Sequence, residues 1–410
     1  MRFFRDLLLA ALATGAVLGM LEGFLRLAHV HYQGSLYANE NERGFGLRPN
    51  AAGWETDEAD VYVQINSDGM RDRERPISRP AHTLRVAVIG SSETNAREVT
   101  LDETFEAVMS RDLSRDLEAR GWSADVLNFG VPGYTYSQEY LTLQNHVWKY
   151  QPQIVILLFS SFPVLKTVRN FYPAELKGAP VYVLQDGKLV PDAITRSTPP
   201  LDAHRQIFKN RSSDWMNKSY LATLLNAARV KVKEFVPALK ARWQKPSATA
   251  PSTATSSAER LSYNPDLPEA QEAWSIAEAI FKAMKEDCYR HGAEFWIVMA
   301  DQEKQVTPDL AAREAFQKSM NLPSLDAVDQ HMERFGAAQG IPVFALAKPL
   351  SDYALSHKTY LHGAPNSAEH SGHWNAVGNA QVGHAIAKEL EARSTFVREL
   401  SSGQLAAQSR

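Results

Sequence analysis

The chain has 410 residues, of which 44% are hydrophobic and 22% are charged, and its formal net charge is −3. This is the composition of an ordinary globular protein, and the lack of a basic excess argues against nucleic-acid binding. The single cysteine, Cys288, cannot form an internal disulfide, and no cysteine and histidine residues have zinc-site spacing. The sequence therefore predicts neither a metal site nor a cofactor.

The N-terminal segment, residues 1–31, is predicted to be a transmembrane anchor. Leu7–Leu21 carries no charge, and the apolar character continues beyond it, interrupted only by Glu22 and Arg26. About twenty such residues are long enough to cross a bilayer as a helix. The two charged residues are four apart, so they share one face of that helix and can pair near the far interface.

The charges before the apolar run predict the orientation of this anchor. Arg2 and Arg5 precede the run, which favours a cytoplasmic N-terminus. The rest of the chain is then expected on the periplasmic or extracytoplasmic side of a bacterial inner membrane. A cleaved signal peptide and a buried helix of a soluble protein are the alternatives, although no small-x-small cleavage site follows the apolar run.

The remaining chain predicts one α/β domain, residues 82–394, after a polar prelude at residues 32–81. In the prelude, Asp60–Asn66 alternates like a strand with one solvated face. In the domain, short apolar runs alternate with amphipathic segments, which predicts parallel strands joined by helical crossovers. The predicted strands are Leu84–Ile89, Asp125–Phe129, Gln153–Phe159, Glu294–Met299 and Pro342–Leu346, and the predicted helices are Asp102–Arg120, Ser137–Tyr150, Glu269–His291, Leu325–Gln339 and Asn375–Arg393.

Two regions do not follow this alternation. Residues 160–268 form an irregular insertion, and within it residues 245–258 are rich in serine, threonine, alanine and proline. Such a composition cannot build a core, so a disordered loop is predicted there. Residues 395–410 are predicted to be a solvated tail.

The stretch Leu84–Asn95 suggests where the chemistry lies. Its buried-type strand stops at Gly90 and is followed by Ser91 and Ser92, just before a helical segment. In open α/β sheets, ligands bind at the carboxyl ends of the strands, so a serine here stands at the functional edge. The simpler interpretation is a serine turn that only caps the next helix.

Three sequence blocks together resemble the GDSL/SGNH hydrolases, specifically a bacterial membrane-anchored branch. The strand followed by Gly90-Ser91-Ser92 matches the first block of that family, and Asn128–Tyr134, with Gly130 and Gly133, matches the second. Gly372-His373-Trp374-Asn375, before the last helix, matches the final block. The prelude Ile65–Asp72 also resembles that branch. The resemblance implies a flavodoxin-like three-layer α/β/α sandwich with a parallel five-stranded sheet.

The resemblance also implies the roles of individual residues. Ser92 would be the nucleophile and His373 the general base, and the backbone N–H groups of Ser92 and Gly133 would stabilise the oxyanion. The chain departs from the family pattern in three places: Ser91 replaces an aspartate, His370 replaces the aspartate three residues before the histidine, and Phe162 or Pro163 replaces an asparagine that donates to the oxyanion.

These departures leave two helpers to be identified. His373 needs a partner for its second ring nitrogen, and Glu369 or a backbone carbonyl is the predicted one. The missing oxyanion donor could be replaced by Asn170 or Gln138, the nearest amides in the sequence. His362, in the same C-terminal region, is predicted to be structural, whereas Trp374 and Tyr134 could stack on a sugar ring or simply pack.

The resemblance implies a membrane-anchored extracytoplasmic serine esterase. Its partners would be the membrane and an acyl ester substrate, possible carriers being a surface glycan, peptidoglycan or a lipid. Two alternatives remain open at this point. An O-acyltransferase would use the same serine and histidine with a sugar hydroxyl in place of water, and a chain that lost its helpers would only bind glycan or assist assembly.

Overall fold

The computed structural model describes residues 2–167, 180–192, 203–243 and 260–402. Its centre is a five-stranded sheet in which every neighbouring pair is parallel. Four of the predicted strands lie within a residue or two of their predicted bounds, and the last is shorter. The strands are β5 (Thr83–Ile89), β6 (Ser123–Asn128), β7 (Ile154–Phe159), β10 (Glu294–Met299) and β11 (Val343–Ala345).

The order of the strands is β11-β10-β7-β5-β6. Counted within the sheet alone, this is the order 2-1-3-4-5 of flavodoxin-like folds. The strand order reverses between β5 and β7, and ligands in such sheets bind outside the carboxyl ends of the strands at this point. The predicted fold class is therefore confirmed, and Gly90-Ser91-Ser92, which follows β5, lies at the switch point.

Helices cover both faces of the sheet and bury two apolar cores. One core contains residues of α4 (Tyr136–Thr142), α8 (Gln271–Arg290) and α11 (Ala327–Gln339). The other contains residues of α3 (Phe105–Leu117), α12 (Ala347–His357) and α13 (Ala376–Arg393). The strands are buried on both sides because each layer of helices presents an apolar stripe to the sheet. Shorter helices are α2 (Ser92–Asn95), α5 (Phe162–Leu165), α9 (Glu303–Val306) and α10 (Leu310–Ser319).

The prelude folds into two antiparallel hairpins, β1 (Tyr37–Glu40) with β2 (Gly44–Leu47) and β3 (Ala52–Glu55) with β4 (Val61–Gln64). They share a small apolar core with Tyr134, whose hydroxyl donates to the backbone carbonyl of Phe45 at 2.6 Å. Tyr134 is thus buried under the prelude, which leaves its ring no free face for a sugar.

The insertion contains a hairpin of β8 (Tyr182–Gln185) and β9 (Lys188–Pro191), followed by α6 (Ala203–Lys218) and α7 (Tyr220–Trp243). The predicted loop at residues 245–258 lies outside the described residues, as does Asn170. The N-terminal helix α1 (Arg2–Leu27) has a mean hydropathy of 1.9 over its most apolar window, and none of that window is buried. It is long and apolar enough to cross a membrane, as a signal sequence also would be.

The predicted boundary of the domain at residue 394 is wrong. Helix α14 (Thr395–Ser402) follows α13 and buries Val397 and Leu400 in the same core as α3 and α13. These two side chains are three residues apart, so they lie on one helical face, and the remaining polar residues mask this short apolar pattern in the sequence. Residues 403–410 lie outside the described part of the chain.

A glycine lets α13 pack closely on α3. A Cβ atom at Gly383 would lie 2.6 Å from Val108 Cβ and 2.7 Å from the carbonyl oxygen of Phe105. These two atoms belong to the packed helix α3 and cannot shift without cost. Gly383→Ala should therefore lower the free energy of unfolding by about 1–3 kcal/mol, although alanine has a better helix propensity than glycine. Urea unfolding measures this. Lys388→Ala, on the exposed face of α13, should change stability by less than about 0.5 kcal/mol, and equal losses for both variants would contradict the packing argument.

Candidate active site

The turn after β5 depends on the close approach of α2 to two glycines. A Cβ at Gly90 would overlap the hydroxyl of Thr94, and one at Gly130 would lie 2.5 Å from the backbone nitrogen of Asn95. Asn95 also donates from its side chain to the carbonyl of Gly130 at 3.0 Å. The two predicted blocks are thus in contact, and they hold Ser92 at the first residue of α2.

The hydroxyls of the two serines have different partners. Ser92 Oγ donates to Glu93 Oε2 at 3.1 Å, and the described residues include no hydrogen bond from it to His373. Ser91 Oγ accepts the N–H of Gly133 at 3.3 Å. One of the two predicted oxyanion donors therefore points at Ser91. The other, Ser92 N–H, is in the first turn of α2, where backbone donors have no partner within the helix.

His373 lies in the loop before α13, whose first turn is capped by the Asn375 side chain accepting from Gly378 N at 2.9 Å. Its Nδ1 hydrogen-bonds Glu58 Oε1 at 2.9 Å, and its backbone N–H donates to Glu58 Oε2 at 3.1 Å. Glu58 comes from the loop between β3 and β4. The partner that the sequence left open is therefore a carboxylate of the prelude.

Glu369 does not have the predicted position. Its side chain is 88% exposed, and its ion pair is with His370 at 3.3 Å. His370 in turn stacks on Tyr360, with ring centroids 3.5 Å apart. Glu369 therefore pairs with its sequence neighbour His370, whereas the carboxylate that contacts His373 is Glu58 of the prelude.

The charge of His373 is stabilised by several carboxylates. Burial opposes its charged form, but the hydrogen bond to Glu58 and the charges of Glu93 and Glu98 outweigh burial and raise the pKa of His373 to about 9. The same hydrogen bond lowers the pKa of Glu58 against the effect of its own burial. Burial raises the pKa of Glu98, which lies 3.4 Å from Nδ1 of His373. His373 is therefore an imidazolium at neutral pH.

Glu93 interacts with both Ser92 and His373. Glu93 accepts the Ser92 hydrogen bond, and its charge also contributes to the raised pKa of His373. Beneath this turn, Glu139 of α4 is fully buried, and burial together with the charge of Glu93 raises its pKa well above the usual range. Burial thus favours the protonated form of Glu139.

Glu58, Glu98 and His373 are also the residues that could hold a metal ion. Each offers one ligand atom, and these atoms lie within 4.8 Å of one another. Imidazole nitrogen and carboxylate oxygen are both ligands that zinc accepts, although zinc sites usually contain more than one histidine or cysteine. In the present arrangement Nδ1 of His373 hydrogen-bonds Glu58 at 2.9 Å, whereas Glu98 Oε1, 3.4 Å away, is buried without a hydrogen-bond partner among the described residues.

The prelude also supports the loop that carries Glu98. Arg71 is buried and donates to the carbonyls of Asn95 and Ala96 at 2.8 Å each, and to that of Val99. Burial lowers the pKa of Arg71 to about 10, so it still carries its charge at neutral pH. Three carbonyl acceptors satisfy this cation and fix the end of α2, so the prelude residues Ile65–Asp72, which resemble the membrane-anchored branch, have a structural role here.

A second buried pair lies behind His373. Asp301, just after β10, accepts from His362 Nε2 at 2.7 Å and from Trp374 Nε1 at 2.8 Å. His362 Nδ1 hydrogen-bonds the carbonyl of Gly372 at 2.7 Å. Burial opposes the charge of His362, but Asp301 outweighs it and raises its pKa. His362 and Trp374 thus hold the loop on either side of His373, which agrees with the structural role predicted for His362 and leaves Trp374 buried.

The third oxyanion donor of the family has no counterpart at the expected position. Phe162 is 52% exposed and Pro163 is buried in α5, and neither side chain can donate. Gln138 is fully buried, and its amide donates to the carbonyl of Arg43 at 2.7 Å, so it is committed to the prelude. Asn170 lies outside the described residues.

Sequence reasoning missed Glu58, Glu98 and Asp301. Asp301 could have been found, because it is a polar residue just after a buried strand, as Ser91 and Ser92 are. Glu58 stands in an acidic run of the prelude, Glu55-Thr56-Asp57-Glu58, where nothing distinguishes it from its neighbours. Its partner is 315 residues away, so no local pattern reveals the pair.

The pKa of His373 provides a direct test of the pair. Glu58→Gln removes both the carboxylate hydrogen bond and one negative charge, so the pKa of His373 should fall by about 1–3 units. Since the folded-state pKa of about 9 exceeds the ordinary histidine value of 6.5, the pair stabilises the fold fully below about pH 6.5 and loses this contribution as the pH rises through 9. The stability of Glu58→Gln should therefore depend less on pH in this window.

NMR titration of the His373 ring and unfolding measured between about pH 6 and pH 10, a range that contains both the ordinary and the raised pKa of His373, would give both quantities. Glu369→Gln is the matched control, because it removes an exposed carboxylate from the same region. It should leave the pKa of His373 and the pH dependence unchanged. A pKa of His373 that stays near 9 in Glu58→Gln, or falls equally in Glu369→Gln, would contradict the assignment.

Comparisons with known proteins bear on the fold. No protein-family model matches the chain, and no curated protein is similar to it in sequence. Among solved structures, the acetyl xylan esterase AlAXEase is 11% identical with a TM-score of 0.35, over 75% of this chain and 99% of its own. A lipolytic protein of the G-D-S-L family from Desulfitobacterium hafniense DCB-2 is 11% identical with a TM-score of 0.33, over 74% and 98%.

A lipase/acylhydrolase from Enterococcus faecalis is 13% identical with a TM-score of 0.34, over 75% of this chain and 96% of its own. Because these identities and scores are low, the activities of these proteins are not transferred to this chain. The fold is assigned from the chain's own strand order and from the hydrogen bond between Asn95 and Gly130 that joins the two turns. The flavodoxin-like sandwich that the resemblance to GDSL/SGNH hydrolases implies is the fold of this protein.

Proposed function

We propose that this protein is a membrane-anchored serine esterase in which Ser92 is the nucleophile and His373 the general base. The observation that carries this proposal is the hydrogen bond between Glu58 and Nδ1 of His373. A carboxylate at Nδ1 fixes the tautomer in which Nε2 can take a proton, and it stabilises the imidazolium that results. The other site features are consistent with this role, since Ser92 is at the switch point of the sheet.

The reaction follows from these positions. Ser92 Oγ attacks the ester carbonyl carbon while its proton passes to Nε2 of His373, and the N–H groups of Ser92 and Gly133 face the oxyanion. Collapse breaks the bond to the alcohol, which leaves with the proton from His373. Water then attacks the acyl-enzyme by the same route and releases the acid. Two bonds must open first, that of Ser92 to Glu93 and that of Gly133 to Ser91.

The raised pKa of His373 predicts an unusual pH dependence. A general base must be neutral, and with a pKa of about 9 only about 1% of His373 is neutral at pH 7. Turnover should therefore be slow at neutral pH and rise through about pH 9. Among the described residues no side chain takes the place of the third oxyanion donor, and the loss of such a donor would cost about a further hundred- to thousand-fold.

The substrate and the location are proposed from the anchor. An anchored domain on the extracytoplasmic side meets acyl esters of surface glycans, peptidoglycan and lipids. An O-acyltransferase would run the same acylation and hand the acyl group to a sugar hydroxyl. A glycan-binding protein without catalysis is the third candidate, and the specific observation in its favour is that Ser92 donates to Glu93 and not to His373.

Covalent labelling tests the nucleophile. A serine-reactive phosphonate should label the detergent-solubilised protein above pH 9, where a larger share of His373 is neutral. Ser92→Ala should abolish both labelling and hydrolysis of an activated ester, and mass spectrometry of the labelled peptide identifies the residue. Ser91→Ala is the matched control and should keep the label. A wild-type protein without label at any pH favours the binding protein, and a label on Ser91 moves the nucleophile by one position.

Topology tests the location. Protease added to intact spheroplasts should digest the bulk of the chain, because Arg2 and Arg5 favour a cytoplasmic N-terminus and place the domain outside. Spheroplasts lysed before protease treatment serve as the control for accessibility. Full protection in intact spheroplasts combined with digestion after lysis would rule out the extracytoplasmic placement.

A further inference from the structure

The end of α1 is joined to the beginning of α7 by a single carboxylate. Glu22 accepts from Ser219 Oγ at 2.9 Å, from the N–H of Tyr220 at 3.1 Å and from the N–H of Leu221 at 2.9 Å. These are first-turn donors that a helix leaves without internal partners, and a negative charge there is favoured by the helix dipole. Helix α7 therefore begins where the apolar helix α1 ends.

Arg26, one turn further along α1, strengthens this junction. It pairs with Glu22 at 2.7 Å, donates to the carbonyl of Lys218, and lies over the ring of Tyr220 at 4.8 Å. These contacts engage the last turns of α1 in the folded structure. If α1 crosses the membrane, as the proposed function holds, the start of α7 is at the bilayer surface.

One face of α7 carries an apolar stripe that no described residue covers. At 3.6 residues per turn, Leu221, Leu225, Ala228 and Val232 fall on the same side of the helix. The side chains of Leu225 and Val232 are 61% and 59% exposed. Thr223, on the opposite side, is buried, so the first turns of α7 pack on the protein through that face, whereas residues 228–233 are exposed on every side.

Basic residues flank this stripe on both sides. Arg229 and Lys231 are exposed and lie on opposite sides of the stripe around the helix axis. Lys233 lies on the same side as Arg229 but further from the stripe. Long basic side chains can lie along an apolar surface and extend their charges to the level of lipid phosphates. An apolar stripe between cations is the pattern of a helix that lies in a membrane interface.

We propose that α7 is a second membrane contact, which lies on the bilayer beside α1 and binds anionic lipid headgroups. The proposal rests on the membrane anchoring in the proposed function. The continuity of α7 with α1 favours a bilayer over a protein partner, because the anchor brings the membrane to this point. The flanking cations complement phosphate groups, each contributing attraction that is screened by salt. The contact would fix the orientation of the sheet edge relative to the membrane.

Site-directed spin labelling of the full chain tests this contact. The chain is reconstituted in nanodiscs of phosphatidylcholine with phosphatidylglycerol, with a nitroxide at Leu225→Cys or Val232→Cys. The matched control is Val230→Cys, which is 46% exposed but on the opposite side of α7. Cys288 is fully buried and does not compete for the label. Labels at 225 and 232 should be several-fold less accessible to a water-soluble nickel reagent than the label at 230, and more accessible to oxygen.

Charge reversal completes the design. Arg229→Glu with Lys231→Glu should restore nickel accessibility at 225, and discs of phosphatidylcholine alone should do so in part. Flotation in a density gradient shows whether the chain is bound to lipid. Equal nickel accessibility at 225, 230 and 232 in a lipid-bound chain would overturn the surface contact alone. A chain that does not float with lipid would overturn the anchoring as well. Protection of 225 that neither the charge reversal nor discs of phosphatidylcholine alone reduce would instead indicate a protein partner or a second copy and also overturn the proposal.

Discussion

The hydrogen bond between Glu58 and His373 is the constraint on which the rest of the site depends. It joins the loop between β3 and β4 to the loop before α13, and further contacts keep these two loops together. Asn366 donates its backbone N–H to the carbonyl of Glu58 at 2.7 Å and its side chain to that of Ala59 at 2.6 Å. A Cβ at Gly372 would overlap the Glu58 carboxylate. The glycine beside His373 is therefore required for the close approach of the carboxylate, independently of any role in catalysis.

The carboxylates around His373 determine its protonation state. Glu58, Glu93 and Glu98 act on one imidazole, and burial together with the charge of Glu93 raises the pKa of Glu139 well above its usual range. In surroundings of low dielectric, carboxylates and an imidazolium stabilise one another strongly, and the price is a base that gives up its proton reluctantly. Such a site stabilises a protonated His373, which under the proposed function makes it poorly suited to starting the reaction at neutral pH.

The sequence predicted those features that depend on interactions between neighbouring residues. The strand Leu84–Ile89, the turn after it and the capped helix after His373 are each specified by a few adjacent residues, and all were predicted correctly in kind. Features that depend on distant partners were not. Glu58 cannot be distinguished from Glu55 or Asp57 without the fold that brings His373 to it. The helix at Thr395–Ser402 was missed because only two of its residues are buried.

The prelude, which the sequence presents as a polar connection, completes the site in three dimensions. Arg71 fixes the end of α2, Glu55 pairs with Arg97 at 2.9 Å, and Glu58 holds His373. A sandwich without the prelude would keep its sheet and its serine but lose the carboxylate that hydrogen-bonds His373. The part of the chain that builds this candidate site therefore begins in the prelude and not at the first strand of the sheet.

The separation of 315 residues between Glu58 and His373 has a consequence for the biogenesis of the protein. A ribosome extends the chain by about 5–20 residues per second, so Glu58 is made many seconds before its partner. During that interval Ser92 is already present, yet the histidine that would activate it has not been synthesised. If the proposed mechanism holds, the nascent chain therefore lacks the base that would activate Ser92 until the loop before α13 has been synthesised and has folded against the prelude.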